Sequence, residues 1–171
     1  MRDEAVQKHA APPAVQTPGK VTITFDYQRM RAIASDQMAV WIEDGYGMHV
    51  CTLLVTRFTA DGGYQTRAEA VPGWQKAFKP AANRDMLDTV SAATPPAGPV
   101  SAVWDCLDQT GRPVPAGTYV YKVEANIKWA KTSIWQGTIT VGPKPGHSVA
   151  APLGSDGTIL QNVQADFIPA S

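Results

Sequence analysis

From Tyr119 to Trp129 the chain alternates without a break. Tyr119, Tyr121, Val123, Ala125, Ile127 and Trp129 fall on one phase; Val120, Lys122, Glu124, Asn126 and Lys128 fall on the other. A period of two belongs to an extended strand, whose successive Cβ atoms point to opposite faces of a sheet. The run is launched by Pro115-x-Gly117 and preceded by Val103-Trp104-Asp105-Cys106-Leu107-Asp108 and Gly111. A strand ending on Trp, a turn of Asp and Gly, and a new strand opening on Tyr predict the corner of a β-sandwich. That corner sets the expected class as all-β.

The rest of the chain extends this pattern. Val21, Ile23 and Phe25 alternate with Thr22, Thr24 and Asp26, as a half-buried strand does. Residues Gln37 to Glu43 and His49 to Val55 flank Asp44-Gly45-Tyr46-Gly47, a hairpin signal because glycine supplies positive φ. Both arms are apolar on both phases, so they are expected centrally, with cover on both faces. Asp61-Gly62-Gly63 marks a turn within Arg57 to Arg67, with a short strand on either side. Val100 to Trp104 reads as a strand, Ala130 to Ser133 as a turn, and Trp135, Gly137, Ile139 and Val141 as the return. Gly142 to Asp156 reads as a loop, and Ile159 to Phe167 as a last strand ending at Pro169.

One segment breaks the alternation. Pro72-Gly73 precedes Trp74 to Phe78, whose two aromatic ends lie four apart on one helical face, and Pro80 splits the helical stretch. Asn83 is placed to cap a second turn through Leu87. Trp74 and Phe78, beside Lys76 and Lys79, are the aromatics expected in solvent or in a helical lid; Trp104, Trp129 and Trp135 are expected in the core. The sum is an immunoglobulin-like antiparallel β-sandwich of 7–8 strands with a short helical insert. It occupies residues 20–171 as one domain, behind an Ala/Pro-rich tail over residues 1–19.

The 15 basic and 15 acidic side chains cancel, which removes the long-range pull on phosphate that nucleic-acid binding needs. No apolar run is long enough to cross a bilayer, so no direct membrane insertion is expected. Met1 to Lys20 lacks the apolar core of a signal peptide. His9, His49 and His147 have no metal-ligand spacing, and Asp105, Asp108 and Gly111 read as a hydrogen-bonded turn rather than a calcium loop. No nucleophile has a base nearby in sequence, so no catalytic residue is nominated. Cys51 and Cys106 are either two separate buried thiols or a disulfide, which would contribute about 4 kcal/mol through loop closure.

Asp88-Thr89-Val90-Ser91-Ala92-Ala93-Thr94 resembles the Asp-x-x-Ser-Gly-Ala-Thr signature of proteins that receive FMN covalently on threonine. By that resemblance Thr94 is the candidate attachment point, with Ser91 and Asp88 as its motif partners. Ala92 stands where the signature has Gly, and Pro95 follows the acceptor.

A wider set of residues resembles a bacterial family described as a predicted periplasmic domain of unknown function, family 2271 (DUF2271). The set comprises Ala39 to Asp44, Gly47, Thr52-Leu53, Pro72, Trp74, Asp88, Val90-Ser91, Ala93-Thr94-Pro95, Gly98, Trp104-Asp105, Gly111, Pro115, Gly117, Tyr119 and Val123-Glu124. The resemblance runs from about Val21 to Pro169. The Trp104 to Tyr119 corner is also similar to the immunoglobulin-like domain of flagellar hook-capping proteins. Membership implies an exported, periplasmic protein that accompanies PepSY-type membrane proteins or flavin transferases in redox-linked envelope systems. It implies no enzyme activity, and it places Gly where this chain has Cys106. The leading expectation is therefore a non-enzymatic accessory or binding protein of an envelope redox or iron-linked system. An electron-transfer protein carrying FMN on Thr94, and a structural or adhesion-type module, are the alternatives.

Overall fold

The computed structural model describes residues 16–28, 37–57, 59–63, 65, 69–87, 91–128, 131–154 and 159–171. Two sheets face each other. Strands β1 (Gly19–Tyr27), β5 (Gly98–Trp104), β8 (Gly146–Val149) and β10 (Leu160–Pro169) form one, in the order β5-β1-β10-β8. Strands β2 (Met38–Glu43), β3 (His49–Thr56), β4 (Ser91–Ala92), β6 (Gly117–Lys128), β7 (Lys131–Val141) and β9 (Ala151–Pro152) form the other, in the order β4-β3-β2-β6-β7-β9. The β3–β4 connection carries a helix, α1 (Pro72–Phe78), and a 3-10 turn (Arg84–Met86).

The alternation does what the period of two demands. Val21, Ile23, Phe25 and Tyr27 of β1 meet Met38, Val40 and Ile42 of β2 and Tyr119, Tyr121, Val123 and Ala125 of β6 in one core. At the corner the Trp104 and Tyr119 rings meet edge-on at 5.1 Å. The Trp104 indole N–H donates to the Leu107 carbonyl at 2.8 Å, and the Tyr119 hydroxyl donates to the Pro115 carbonyl at 2.6 Å. Both polar tips are thus satisfied while the rings stay in the core. Cys106, fully buried between them, holds a left-handed φ of 59°. That conformation is easy for glycine and strained for other residues, which accounts for the Gly that the resemblance expects there.

Tyr121 crosses the core edge. Its hydroxyl lies 2.9 Å from Ser148 Oγ on β8 of the facing sheet. The ring is laid over Gly137, its cross-strand neighbour on β7. A Cβ at Gly137 would come within 2.4 Å of the Tyr121 ring and hydroxyl. Gly137→Ala is therefore expected to cost about 2–3 kcal/mol through overpacking, measured as a lower urea midpoint with unchanged slope. A Tyr121→Phe background leaves the clash at the ring carbons and should not rescue it.

Several expectations need correction. The described residues hold ten strands rather than seven or eight, because β4, β8 and β9 are too short to carry a pattern. The segment read as one loop, Gly142 to Asp156, contains β8, paired with β10, and β9, paired with β7, so it passes from one sheet to the other. One pairing, β3 with β4, is parallel. Residues Thr132 and Ser133, read as a turn, already belong to β7 and pair with Asn126 and Ala125. No strand flanks Asp61 among the described residues. Thr59–Gly63 is a wide helical turn broken at Gly62 (φ 104°). The cause is a buried side chain: Gln37 Oε1 accepts from the hydroxyls of both Thr56 and Thr59, which draws the chain over the sheet. Trp129 and most of the 1–19 tail lie outside the described residues.

Asn83 works on the other side of its turn. Its amide donates to the carbonyls of Phe78 (2.6 Å) and Lys79 (3.3 Å), closing the end of α1 instead of starting the next turn. Lys79, at φ 54°, supplies the left-handed step that ends the helix. Trp74 and Phe78, expected in solvent or in a helical lid, are 0% and 3% exposed, as a lid requires.

Candidate functional site

The reason for that burial is a second core. The outer face of β2 and β3 presents Ala39, Trp41 and Val55, too apolar for water, and the described residues between Ala60 and Leu87 pack over it. Trp74, Phe78, Val71 and Leu87 cover this patch, with the Trp74 and Phe78 rings stacked at 5.1 Å. Strand β2 is consequently buried on both faces along its whole length, as its sequence predicted.

The cover is held by polar groups on the second phase of β6. Glu124 is fully buried; its carboxylate accepts from the backbone N–H groups of Gly73 (3.1 Å) and Trp74 (3.0 Å) at the start of α1. Asn126 accepts from Val71 N–H and donates to the Glu69 carbonyl, both at 2.8 Å. Gly73 permits this approach, since a Cβ there would lie 3.1 Å from the Glu124 carboxylate and 3.0 Å from Ile134.

Beside α1 this packing leaves a cleft of about 570 Å3. Its walls come from three places: Trp41, Glu43 and Lys122 on the sheet; Gly73, Lys76, Ala77 and Lys79 on and after the helix; Met48 and His49 at the hairpin. Ile134 and Leu153 close the far side. Lys122 Nζ donates to Glu43 Oε2 at 3.0 Å and lies 6.0 Å above the Trp41 ring; Trp41 Nε1 donates to Glu43 Oε1 at 2.8 Å. Both oxygens of the 7%-exposed Glu43 are therefore engaged. Trp74 Nε1 donates to Thr52 Oγ1 at 3.0 Å, and the same oxygen lies 2.8 Å from His49 Nε2.

Burial lowers the His49 pKa to about 4, against a smaller upward pull from Glu43, so the ring is neutral at pH 7. The unfolded chain protonates this ring near 6.5 and the folded one does not. His49 therefore contributes stability that is present above that value and lost as pH falls through the folded pKa. The loss is at most about 3 kcal/mol. His49→Gln is expected to flatten the stability profile between pH 6.5 and 4, checked by urea titrations at each end. A profile as steep as that of the parent chain would rule out His49 as the titrating group.

A larger cavity, of about 780 Å3, lies between the hairpin tip and the 108–119 segment. Its carboxylates are occupied in turns. Asp44 Oδ1 accepts from Tyr46 and Met48 N–H, and Asp108 Oδ1 accepts from the Thr110 hydroxyl and from Thr110 and Arg112 N–H. The Thr110 hydroxyl leads in holding the Asp108 carboxyl below the usual carboxylate range. This is the hydrogen-bonded turn that Asp108 and Gly111 predicted. Among the described residues no group of three or more His, Cys, Asp or Glu side chains is placed to hold a metal ion, and no helix is long and apolar enough to cross a membrane.

The profile of a family described as "Predicted periplasmic protein (DUF2271)" matches residues 19–156, the greater part of the chain and every named strand except β10. The chain belongs to this family. No curated protein and no solved structure matches it. The periplasmic location expected from the sequence is the one predicted for DUF2271 proteins.

Among the described residues, those nominated from sequence do not line the cleft of this DUF2271 protein. Ser91 opens β4 and pairs with Val55 at the edge of the larger sheet. Thr94 follows, half-buried, in the irregular 93–97 connection, and Asp88 lies outside the described residues. Cys51 and Cys106 are separate thiols, not a bridge. Both pack on the main core, and burial, reinforced by Asp105, pushes each thiol up to about 12. They are inert at neutral pH and act as small apolar side chains. The residues that do line the cleft were visible only indirectly. Apolar residues on both phases of β2 imply a cover, and a cover over β2 must also bury the outward phase of its neighbour β6.

Proposed function

We propose that this DUF2271 protein is a non-enzymatic binding subunit in the periplasm and that its ligand seat is the Lys122–Glu43 cleft. The supporting observation is that the cleft's polar groups are fixed in pairs. Glu43 is held by Trp41 and Lys122, and the His49 ring nitrogen is engaged by Thr52, so neither is poised as a base toward an open position. Such pre-formed, mixed polar and apolar concavities of several hundred Å3 are suited to holding small molecules. The setting suggested by the resemblance is an envelope redox or iron-linked system beside a PepSY-type membrane protein.

Ala77→Trp, which fills the cleft from the helix side, tests the seat. Protein released from the periplasm under native conditions should carry a stoichiometric small molecule in native mass spectrometry, absent from the variant. The same species on both proteins would remove the cleft from the proposal.

A second reading keeps Thr94 as an FMN attachment point. It is favoured by the position of Thr94 outside any strand, between exposed Ala93 and half-buried Pro95. Co-expression with a flavin transferase should add one FMN to the intact mass, and Thr94→Ala should abolish the gain. An unchanged mass for the parent chain would end this reading.

A further inference from the structure

We infer that the ligand taken by the cleft is an amphiphilic anion: a phosphate, sulfonate or carboxylate head on a compact apolar body. The inference rests on the cleft being a binding seat, and it adds the chemistry of the occupant.

Charge decides the head. Three lysines, Lys76, Lys79 and Lys122, line the cleft against one carboxylate, Glu43, while His49 is neutral. Lys122 and Glu43 neutralise each other at 3.0 Å. Lys76 and Lys79 remain, both exposed, and among the described residues neither has an acidic partner. The chain as a whole carries no net charge, so this excess of two positive charges is local to the cleft. Concave walls of low polarity strengthen such a field at their centre. The start of α1 does not compete for the anion, because Glu124 already accepts from Gly73 and Trp74 N–H.

Shape and polarity decide the body. A bare inorganic anion would fill a small part of about 570 Å3. The same lining includes the apolar side chains Met48, 65% exposed, and Leu153, 54% exposed, together with Ala77 and Ile134. These side chains gain from covering an apolar surface and offer nothing to a second charge. Met in particular adapts to irregular apolar shapes. The charged and the apolar parts of the lining thus ask for two parts of one molecule.

Isothermal titration of the full chain with four probes tests this: octyl phosphate, inorganic phosphate, octyl glucoside and octyltrimethylammonium, each below its micelle concentration. Octyl phosphate should bind saturably with one site and should weaken as salt rises. Lys76→Ala/Lys79→Ala should weaken it by about tenfold, two exposed charges each contributing a modest attraction. Met48→Ser/Leu153→Ser should weaken it comparably. Both pairs are surface residues, and an unchanged melting temperature confirms that the variants fold. Equal binding of the glucoside or the ammonium would overturn the anionic head and leave the binding seat standing. Equal binding of inorganic phosphate would overturn the apolar body. Unchanged octyl phosphate binding by the double lysine variant would overturn the placement, and failure of all four probes would overturn the inference together with the seat on which it rests.

Discussion

Replacing Glu124 with alanine is expected to lower the unfolding free energy by about 4 kcal/mol. The carboxylate is fully buried and accepts two backbone N–H groups, those of Gly73 and Trp74. Alanine leaves both donors without a partner in a dry layer, and each stranded group costs about 1–3 kcal/mol. The expected defect is local before it is global: amide exchange should rise first over residues 69–79, then across the second core. Glu124→Gln keeps one acceptor oxygen and should cost about half as much. A cost under about 1 kcal/mol for Glu124→Ala would mean that the helix start is held by something else.

The same residue gives a pH dependence of definite sign. Burial pushes the Glu124 carboxyl above the usual carboxylate range, and the N–H groups of Trp74 and Gly73, the Thr132 hydroxyl and Lys122 offset this only in part. The folded state keeps a proton that the unfolded chain has already released. This contribution is therefore fully present below the ordinary carboxylate pKa near 4.5 and is lost as pH rises through the raised value. It runs opposite to His49, whose contribution is lost on acidification. Glu124→Gln should remove the decline on the alkaline side and leave the His49 slope in place.

Trp74→Ala should cost a similar amount, about 3–5 kcal/mol, by a different route. The side chain is wholly buried, stacks on Phe78 at 5.1 Å and donates to Thr52 at 3.0 Å. Its removal empties the middle of the second core, and the surrounding strands cannot close the space. Trp74→Phe keeps the stack and loses only the N–H donor, so its cost should be near 1 kcal/mol. Because Trp74 and Glu124 meet at the same helix turn, the two alanine variants should be less than additive in a double-mutant cycle. Strict additivity would show that the helix and the carboxylate act independently.

Much of the architecture was legible before any coordinates. Phase alternation predicts Val21, Ile23 and Phe25 and Tyr119, Tyr121, Val123 and Ala125 on inward faces, and they lie in the core. Apolar residues on both phases of Met38–Ile42 predicted a strand covered twice, and β2 is so covered. The helical break at Pro72–Phe78 was read from its spacing. What sequence could not assign was the destination of that helix. Trp74 and Phe78 look like exposed aromatics while the surface beneath them is unknown, and Glu124 and Asn126 look solvated while the helix above them is unplaced. Each observation explains the other only when they are put together. The FMN motif at Asp88–Thr94 and the two cysteines drew attention because local spacing is what a sequence displays. The cleft drew none, because Trp41, Glu43, Lys76, Lys122 and Leu153 come from distant parts of the chain.

By itself, then, the order of residues determined the long strands, the two-layer packing and the family, since all three follow from short-range periodicity and local motifs. The tertiary structure alone decided which outward faces stay wet. That depends on one connection folding back over the larger sheet, where buried N–H groups meet the carboxylate of Glu124 and leave two unpaired lysines around a half-apolar hollow.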